Sequence, residues 1–302
     1  MTERAIITGA TSMLGVATIE AFLRQDVPVV AVIRPDTGKR NRLPDSTLLY
    51  IVECDIQDYL QLPGLIGGRG GIFYHFAWVG TGPDRNSDYH RQSQNIRYTI
   101  NAVLAAHELG ASAFIGAGSQ AEYGIVEQMP TKPETPAYPN TPYGICKLAA
   151  GRMALSLGEQ LGIKTIWARV FSVYGKYDKP TSMISQTLRK MRDNEPTAFT
   201  KAEHVWDYLF SEDAGNAFFL LGLHGKDQAT YCIASGDCRP LIEYLKVIED
   251  LMQPSHPLGI GRITQERRVY NLCADISSLI EDTGFKPGCN FEDGIRFIVK
   301  EL

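Results

Sequence analysis

The stretch Arg4-Ala5-Ile6-Ile7-Thr8-Gly9-Ala10-Thr11-Ser12-Met13-Leu14-Gly15 decides the fold. Residues 4–8 read as a short apolar strand. Residues 13–24 carry apolar side chains at helical spacing, so a glycine turn joins a strand directly to a helix. Small residues at such a turn let backbone amides approach a pyrophosphate, and the N-terminus of the helix favours its negative charge. Gly9 suits the tight turn and Gly15 suits close helix–sheet packing, while Ser12 stands where a middle glycine is more usual. Gly9, Thr11, Ser12, Met13, Leu14 and Gly15 are therefore candidate dinucleotide contacts.

The same rhythm continues outward. Residues 28–33 form a continuous apolar run, as expected of a strand buried on both faces. Further strands are predicted over 48–52, 72–76, 113–116 and 164–168, with helical patterns over 95–109 and 142–161. Strand and helix in alternation predict an α/β, Rossmann-type, doubly wound parallel sheet, whose ligands lie at the carboxyl ends of its strands. After about residue 172 the pattern changes. Helices over 182–193, 213–223, 241–252 and 275–282 mix with short strands near 205–210 and 230–234, with Asp275 as an N-cap and Gly284 as a stop. The expected division is a dinucleotide-binding domain over 1–171 and a smaller α+β substrate lobe over 172–302, with interleaved segments.

Composition narrows the function classes. The 302 residues are 44% hydrophobic and 21% charged with a net charge of −4, which is ordinary globular chemistry and argues against a broad grip on nucleic acid or anionic membrane. No apolar run approaches the ~18 residues of a membrane span. Because residues 4–8 already read as an apolar strand, no signal peptide is expected, and the six cysteines contain no CxxC pair. They read as buried or free thiols in a reducing, cytoplasmic setting, and no metal site is expected.

The second strand ends at Ile33-Arg34, and Lys39, Arg40 and Arg42 follow. Arginine matches a 2′-phosphate in charge and bidentate geometry, so Arg34 favours NADP(H) over NAD(H). Asp55, beside Ile56 after the third strand, is placed to accept a hydrogen bond from an adenine amino group.

Tyr143 and Lys147 share one helix face at i,i+4 spacing. Hydride transfer to a ketone needs a proton donor, and its reverse needs a base. Bringing a tyrosine from about 10 to neutrality takes about 4 kcal/mol. One ammonium about 6 Å away, across an effective dielectric of about 20, supplies about 2.8 kcal/mol. Lys147 is thus expected to cover most of the shift, with a positive nicotinamide ring able to add the rest. Ser119, after the fifth strand, offers a hydroxyl to hold the substrate oxygen beside Tyr143.

Taken together, the turn at residues 8–15, His75-Phe76-Ala77, Asn95, Ser119 with Tyr123-Gly124, Tyr143/Lys147 and Arg169-Val170-Phe171-Ser172-Val173-Tyr174-Gly175 resemble extended short-chain dehydrogenases/reductases. Trp206-Asp207-Tyr208 and Ala274-Asp275 extend the resemblance over essentially the whole chain, within the NAD-dependent epimerase/dehydratase branch, whose known members mostly act on nucleotide sugars. The resemblance implies Tyr143 as acid/base, Lys147 as its ribose-binding partner and Ser119 as oxygen binder. It places Phe76, Ala77, Trp78, Asn95, Val170 and Val173 along the cofactor. It also implies a homodimer through a four-helix bundle built from the helices of Asn95 and Tyr143.

Departures refine the expectation. Gln120-Ala121 stand where sugar dehydratases of the family carry Asp-Glu, which disfavours dehydration. Ser172 and Trp206 replace an Asn and an Arg that usually contact the substrate diphosphate, and Arg267 with Arg268 are substitute phosphate binders. Trp78, Gln120, Glu122, Ser172, Trp206 and Arg267 are the candidate substrate contacts. His75 is expected to be a satisfied structural histidine. The activity expected is 4-keto reduction or C4 epimerisation of a nucleotide sugar. The alternatives are an NADP-dependent reductase of a non-nucleotide carbonyl and a non-catalytic dinucleotide-binding regulator.

Overall fold

The computed structural model describes residues 4–264 and 271–300. In chain order the elements are β1 (Ala5–Thr8), α1 (Met13–Leu23), β2 (Val29–Ile33), β3 (Leu49–Glu53), α2 (Leu62–Ile66), β4 (Ile72–His75), α3 (Tyr89–Glu108), β5 (Ala113–Ser119), α4 (Pro142–Leu161), β6 (Lys164–Val170), β7 (Ser172–Tyr174), α5 (Met183–Arg192), β8 (Val205–Phe210), α6 (Ser211–His224), β9 (Thr230–Ile233), β10 (Cys238–Pro240), α7 (Leu241–Met252), α8 (Ser277–Thr283) and α9 (Phe291–Lys300).

Seven parallel strands form the large sheet in the order β3-β2-β1-β4-β5-β6-β9. Successive residues of a strand point to opposite faces, so the sheet carries two cores. Ile7, Ala31, Tyr74 and Ile115 pack with Phe22 of α1 and Phe218 of α6, while Ile6, Val30, Phe73 and Phe114 pack with Val103 of α3 and Ala154 of α4. The strand order reverses between β1 and β4, which opens a crevice at their carboxyl ends. A second sheet of β10-β8-β7 carries the smaller lobe, where Tyr174, Phe210, Tyr244 and Phe291 form a separate aromatic core with residues of α5, α7 and α9.

The doubly wound sheet matches the sequence reading, and four further points concern the rest of the chain. First, α6 packs in the α1 core and β9 is the seventh strand of the large sheet, so segments after residue 172 return to the large sheet. Second, Cys238 and Cys273 form a disulfide, while Cys54, Cys146, Cys232 and Cys289 are free. The disulfide ties β10 to a segment whose Cys273 carbonyl accepts from the amide of Thr131. A separation of 35 residues carries no signal for that pairing. Third, α3 starts at Tyr89, capped by the Asp88 carboxylate, rather than at residue 95. Fourth, α8 starts at Ser277, and Asp275 sits just outside it with its carboxylate on the Ser277 amide. Among the described residues no helix is long and apolar enough to cross a membrane.

Candidate active site

A cleft of about 730 Å³ opens at the carboxyl ends of the central strands and is lined by Met13, Leu14, Phe76, Trp78, Ser119, Gln120, Tyr143, Lys147, Val170, Ser172, Val173 and Trp206. Local sequence explains how its floor is assembled. Thr141 caps α4 by accepting from the Gly144 amide, and Pro142 occupies the first turn. A Cβ on Gly144 would stand 2.3 Å from the Ala121 carbonyl oxygen, so only glycine lets the helix start dock on the turn that carries Ser119. Tyr143 and Ser119 consequently line the same cleft.

The electrostatics of this pair are not those expected from spacing alone. Burial pushes the Tyr143 hydroxyl up, and the charge of Glu122 adds to the rise. The nearby Ser119 hydroxyl and the charge of Arg85 pull it down. The Arg85 guanidinium, on a 3-10 turn at Pro83–Asn86, stands 5.0 Å from the centre of the Tyr143 ring. The Lys147 ammonium donates to the Ala117 carbonyl at 2.7 Å and sits 3.8 Å from the centre of the Trp78 ring, whose edge also meets Tyr143. Burial brings Lys147 down to about 7, against the opposing charge of Glu122.

Trp78 is a brace within the cleft. Its indole N–H donates to Gln92 Oε1 at 2.8 Å, and its ring meets Tyr143 edge-on at 6.0 Å. Asn95 corrects the expectation of a cofactor contact. It is buried, its Oδ1 accepts from the Val79 amide, and its Nδ2 donates to the Val79 carbonyl, so it clamps the loop after β4. Gln92 adds a bond to the Gly80 carbonyl, and Lys179 reaches across to the Thr81 carbonyl at 2.9 Å.

Glu122 is a second correction, because its carboxylate does not line the cleft. It is fully buried, accepts from the Ser119 amide, the Trp167 indole and Arg169 Nε, and pairs with Arg169 at 2.7 Å. It borders a separate cavity of about 280 Å³ shared with Arg152, Trp167 and Arg169. Ser119 and Glu122 form a capping box, and the Ser-x-x-Glu spacing was the signal that could have revealed it. His75 is buried between the hydroxyls of Thr8 and Thr99, and burial lowers it to about 3, with the charge of Lys147 contributing. Trp206 donates to Ser172 Oγ at 2.8 Å, so the two residues that depart from the family pattern pair with each other. Arg267 and Arg268 lie outside the described residues.

The residues at the crevice fit a dinucleotide. Gly9 has a left-handed φ of +66°, and a Cβ there would stand 2.6 Å from the Ala77 nitrogen. A Cβ on Gly15 would meet the Gly9 carbonyl oxygen at 2.5 Å, so turn and helix are pressed together. Ser12 caps α1 by accepting from the Gly15 amide, which leaves the first-turn amides of Met13 and Leu14 without an intrahelical acceptor for an anion to use. Arg42 Nη1 donates to the Thr11 carbonyl at 3.4 Å beside this turn. Arg34 is exposed at the end of β2, Asp55 caps the 3-10 helix Ile56–Gln61, and the Ile56 side chain is buried in the core. Among the described residues, no group of three or more His, Cys, Asp or Glu could hold a metal ion.

Residues 5–234 match the NAD dependent epimerase/dehydratase family. An uncharacterized UDP-glucose epimerase of Bacillus subtilis is 22% identical over 97% of this chain and 95% of its own. A GDP-6-deoxy-D-mannose reductase of Pseudomonas aeruginosa is 26% identical over 100% of this chain and 97% of its own. Among solved structures, UDP-glucose 4-epimerase of Thermotoga maritima with UDP-glucose superposes with a TM-score of 0.86 at 19% identity, covering 98% of this chain and 97% of that one. At that identity the structural likeness fixes the fold.

Proposed function

Because the chain belongs to the NAD dependent epimerase/dehydratase family, we propose that it acts on a nucleotide sugar, by 4-keto reduction or by C4 epimerisation through a ketone. The observation that carries the reading is the convergence of Ser119, Tyr143 and Lys147 in the cleft beside the glycine turn. The dinucleotide, when bound, supplies the hydride acceptor or donor. The first-turn amides of Met13 and Leu14 would hold its pyrophosphate, and Lys147, in the same cleft, would meet ribose hydroxyls. Ser119 orients the substrate oxygen, and Tyr143 takes or gives the proton at that oxygen. Gln120-Ala121 offer no carboxyl at the two positions after Ser119, which favours reduction or epimerisation over loss of water.

NADP(H) is the preferred cofactor on the strength of Arg34, which is exposed at the end of β2 where a 2′-phosphate would lie. A homodimer would use the paired helices α3 and α4, whose outer surface exposes Tyr89, Ile145 and Met153. A reductase of a non-nucleotide carbonyl is the second reading, favoured by Ser172 and Trp206 engaging each other.

The test is turnover of NADPH with 4-keto nucleotide sugars and interconversion of 4-epimers with NAD⁺, each compared with Tyr143→Phe. Loss of the proton-moving phenol should lower kcat about 10²- to 10⁴-fold while cofactor binding persists. Unchanged turnover in Tyr143→Phe would remove the catalytic reading.

A further inference from the structure

The proposed reaction leaves two cations of the cleft without a task. Among the described residues that line it, Arg85, Lys147 and Lys179 are basic and Asp178 alone is acidic. Lys147 is buried and donates to the Ala117 carbonyl, and the proposed reaction uses it at the ribose. Asp178 is taken up by its own neighbours. Its Oδ1 accepts from the Lys179 amide at 2.6 Å, and its Oδ2 accepts from the Ser182 hydroxyl at 2.6 Å, at the start of α5. The acids beside Arg85 in sequence, Asp84 and Asp88, pair with Arg91 at 3.5 and 3.3 Å. Among the described residues, then, neither Arg85 nor Lys179 has an ion-pair partner. We propose that Arg85 and Lys179 form a clamp for a carboxylate carried by the sugar, so that the substrate is a nucleotide-linked uronic acid. The inference rests on the nucleotide-sugar reading and deepens it.

The two cations come from opposite walls and meet at one end of the cleft. Arg85 sits on the 3-10 turn Pro83–Asn86 in the loop after β4, and Lys179 on the segment between β7 and α5. Lys179 Nζ crosses to the Thr81 carbonyl at 2.9 Å, on the loop that carries Arg85. That bond uses one donor of the ammonium and leaves the others for a ligand. The loop is fixed at its root by Asn95 on Val79 and by Gln92 on Gly80, which gives the guanidinium a defined place. Arg85 stands 5.0 Å from the centre of the Tyr143 ring, at the end of the cleft where the reacting carbon lies in the proposed reaction. This position selects the anion. In a pyranose the diphosphate hangs from C1, across the ring from C4. The carboxylate of a uronic acid hangs from C5, which is bonded to C4. When Tyr143 serves the oxygen on C4, a C5 carboxylate is beside it and the diphosphate points away. A planar guanidinium fork matches a carboxylate in shape as well as charge.

The test is isothermal titration of the full-length protein loaded with NADPH, which cannot oxidise the added sugar. Two matched pairs serve as ligands: UDP-glucose with UDP-glucuronate, and GDP-mannose with GDP-mannuronate. In the pair whose nucleotide fits, the uronate is expected to bind about 10²-fold more tightly than its neutral partner. Arg85→Gln and Lys179→Gln should each weaken the uronate about tenfold, and the double variant should lose the preference. Lys179→Arg keeps the charge and should keep the preference. NADPH affinity, measured alongside, reports whether each variant is folded. A neutral sugar bound as tightly as its uronate partner, or a preference that survives in the double variant, overturns the proposal and leaves the nucleotide-sugar reading standing. Binding of none of the four ligands removes that reading and the proposal together.

Discussion

Arg169 and Glu122 meet inside the protein with 6% and 0% of their side chains exposed, whereas Arg40 and Glu53 meet at 3.0 Å with half or more of each in water. The two pairs look alike in distance and differ in consequence. Removing Arg169 leaves a buried carboxylate with only the Ser119 amide and the Trp167 indole to hold it. Arg169→Met is therefore expected to cost about 3–5 kcal/mol in chemical denaturation, and Arg40→Ala at most about 1 kcal/mol. Equal effects would contradict the assignment of Glu122 to the interior. His75 gives a second residue-scale outcome. It is held at about 3 when folded, against an ordinary value near 6.5, so the unfolded chain takes up a proton there that the folded chain refuses. Stability from this group is present above pH 6.5 and is lost as pH falls toward 3, with a ceiling of about 5 kcal/mol. Replacing His75 with Gln should flatten the stability–pH slope between pH 6 and 4. A slope unchanged by the substitution would show that carboxylates alone carry the acid sensitivity.

At the scale of elements, the loop after β4 depends on a residue of the helix that follows it. Asn95 on α3 satisfies both the amide and the carbonyl of Val79, and no apolar side chain can replace that pair of bonds. Asn95→Ala is expected to destabilise the protein by about 1–3 kcal/mol. It should also speed hydrogen exchange at the Val79 amide, and lower kcat as Trp78 and Arg85 lose their fixed positions. Protection at Val79 equal to that of the parent protein would refute the clamp. This loop also marks where sequence reading stops. Apolar runs announced β2, β6 and the helix α4 because each pattern is set by burial on known faces. β10 spans three residues, Cys238, Arg239 and Pro240, and exists because β8 lies antiparallel beside it. No local pattern encodes that pairing. That Ser119, Tyr143 and Lys147 line one cleft was legible from their spacing and strand-end position. Arg85 was not, since one arginine in a polar turn looks the same whether it faces water or a phenol. Glu122 was legible only as a capping box, which assigns it to the backbone of Ser119 rather than to the substrate.

For the whole molecule, the path of the chain links the two halves of the cleft. Residues 206 and 172 line it from the small sheet, yet α6 and β9, which follow β8, return to the large sheet. Asp213 of α6 also accepts from the amides of Gly288 and Cys289 ahead of α9, so each lobe is held by hydrogen bonds to the other's connections. Independent lobes would unfold in two steps, and a dinucleotide would move only the first. Interleaved lobes are expected to unfold together, so a ligand of either half raises one shared transition. A ligand at 100 times its dissociation constant adds about 2.7 kcal/mol by mass action, which is several degrees in Tm. NADPH is expected to raise the single transition more than NADH, and Arg34→Ala should erase that difference. UDP, GDP, CDP or dTDP should raise the same transition further if the substrate is a nucleotide sugar. A cofactor shift without any shift from the four nucleoside diphosphates would favour a carbonyl substrate lacking a nucleotide. Two separate transitions, only one of them moved by NADPH, would show that the return of α6 and β9 to the large sheet does not couple the lobes.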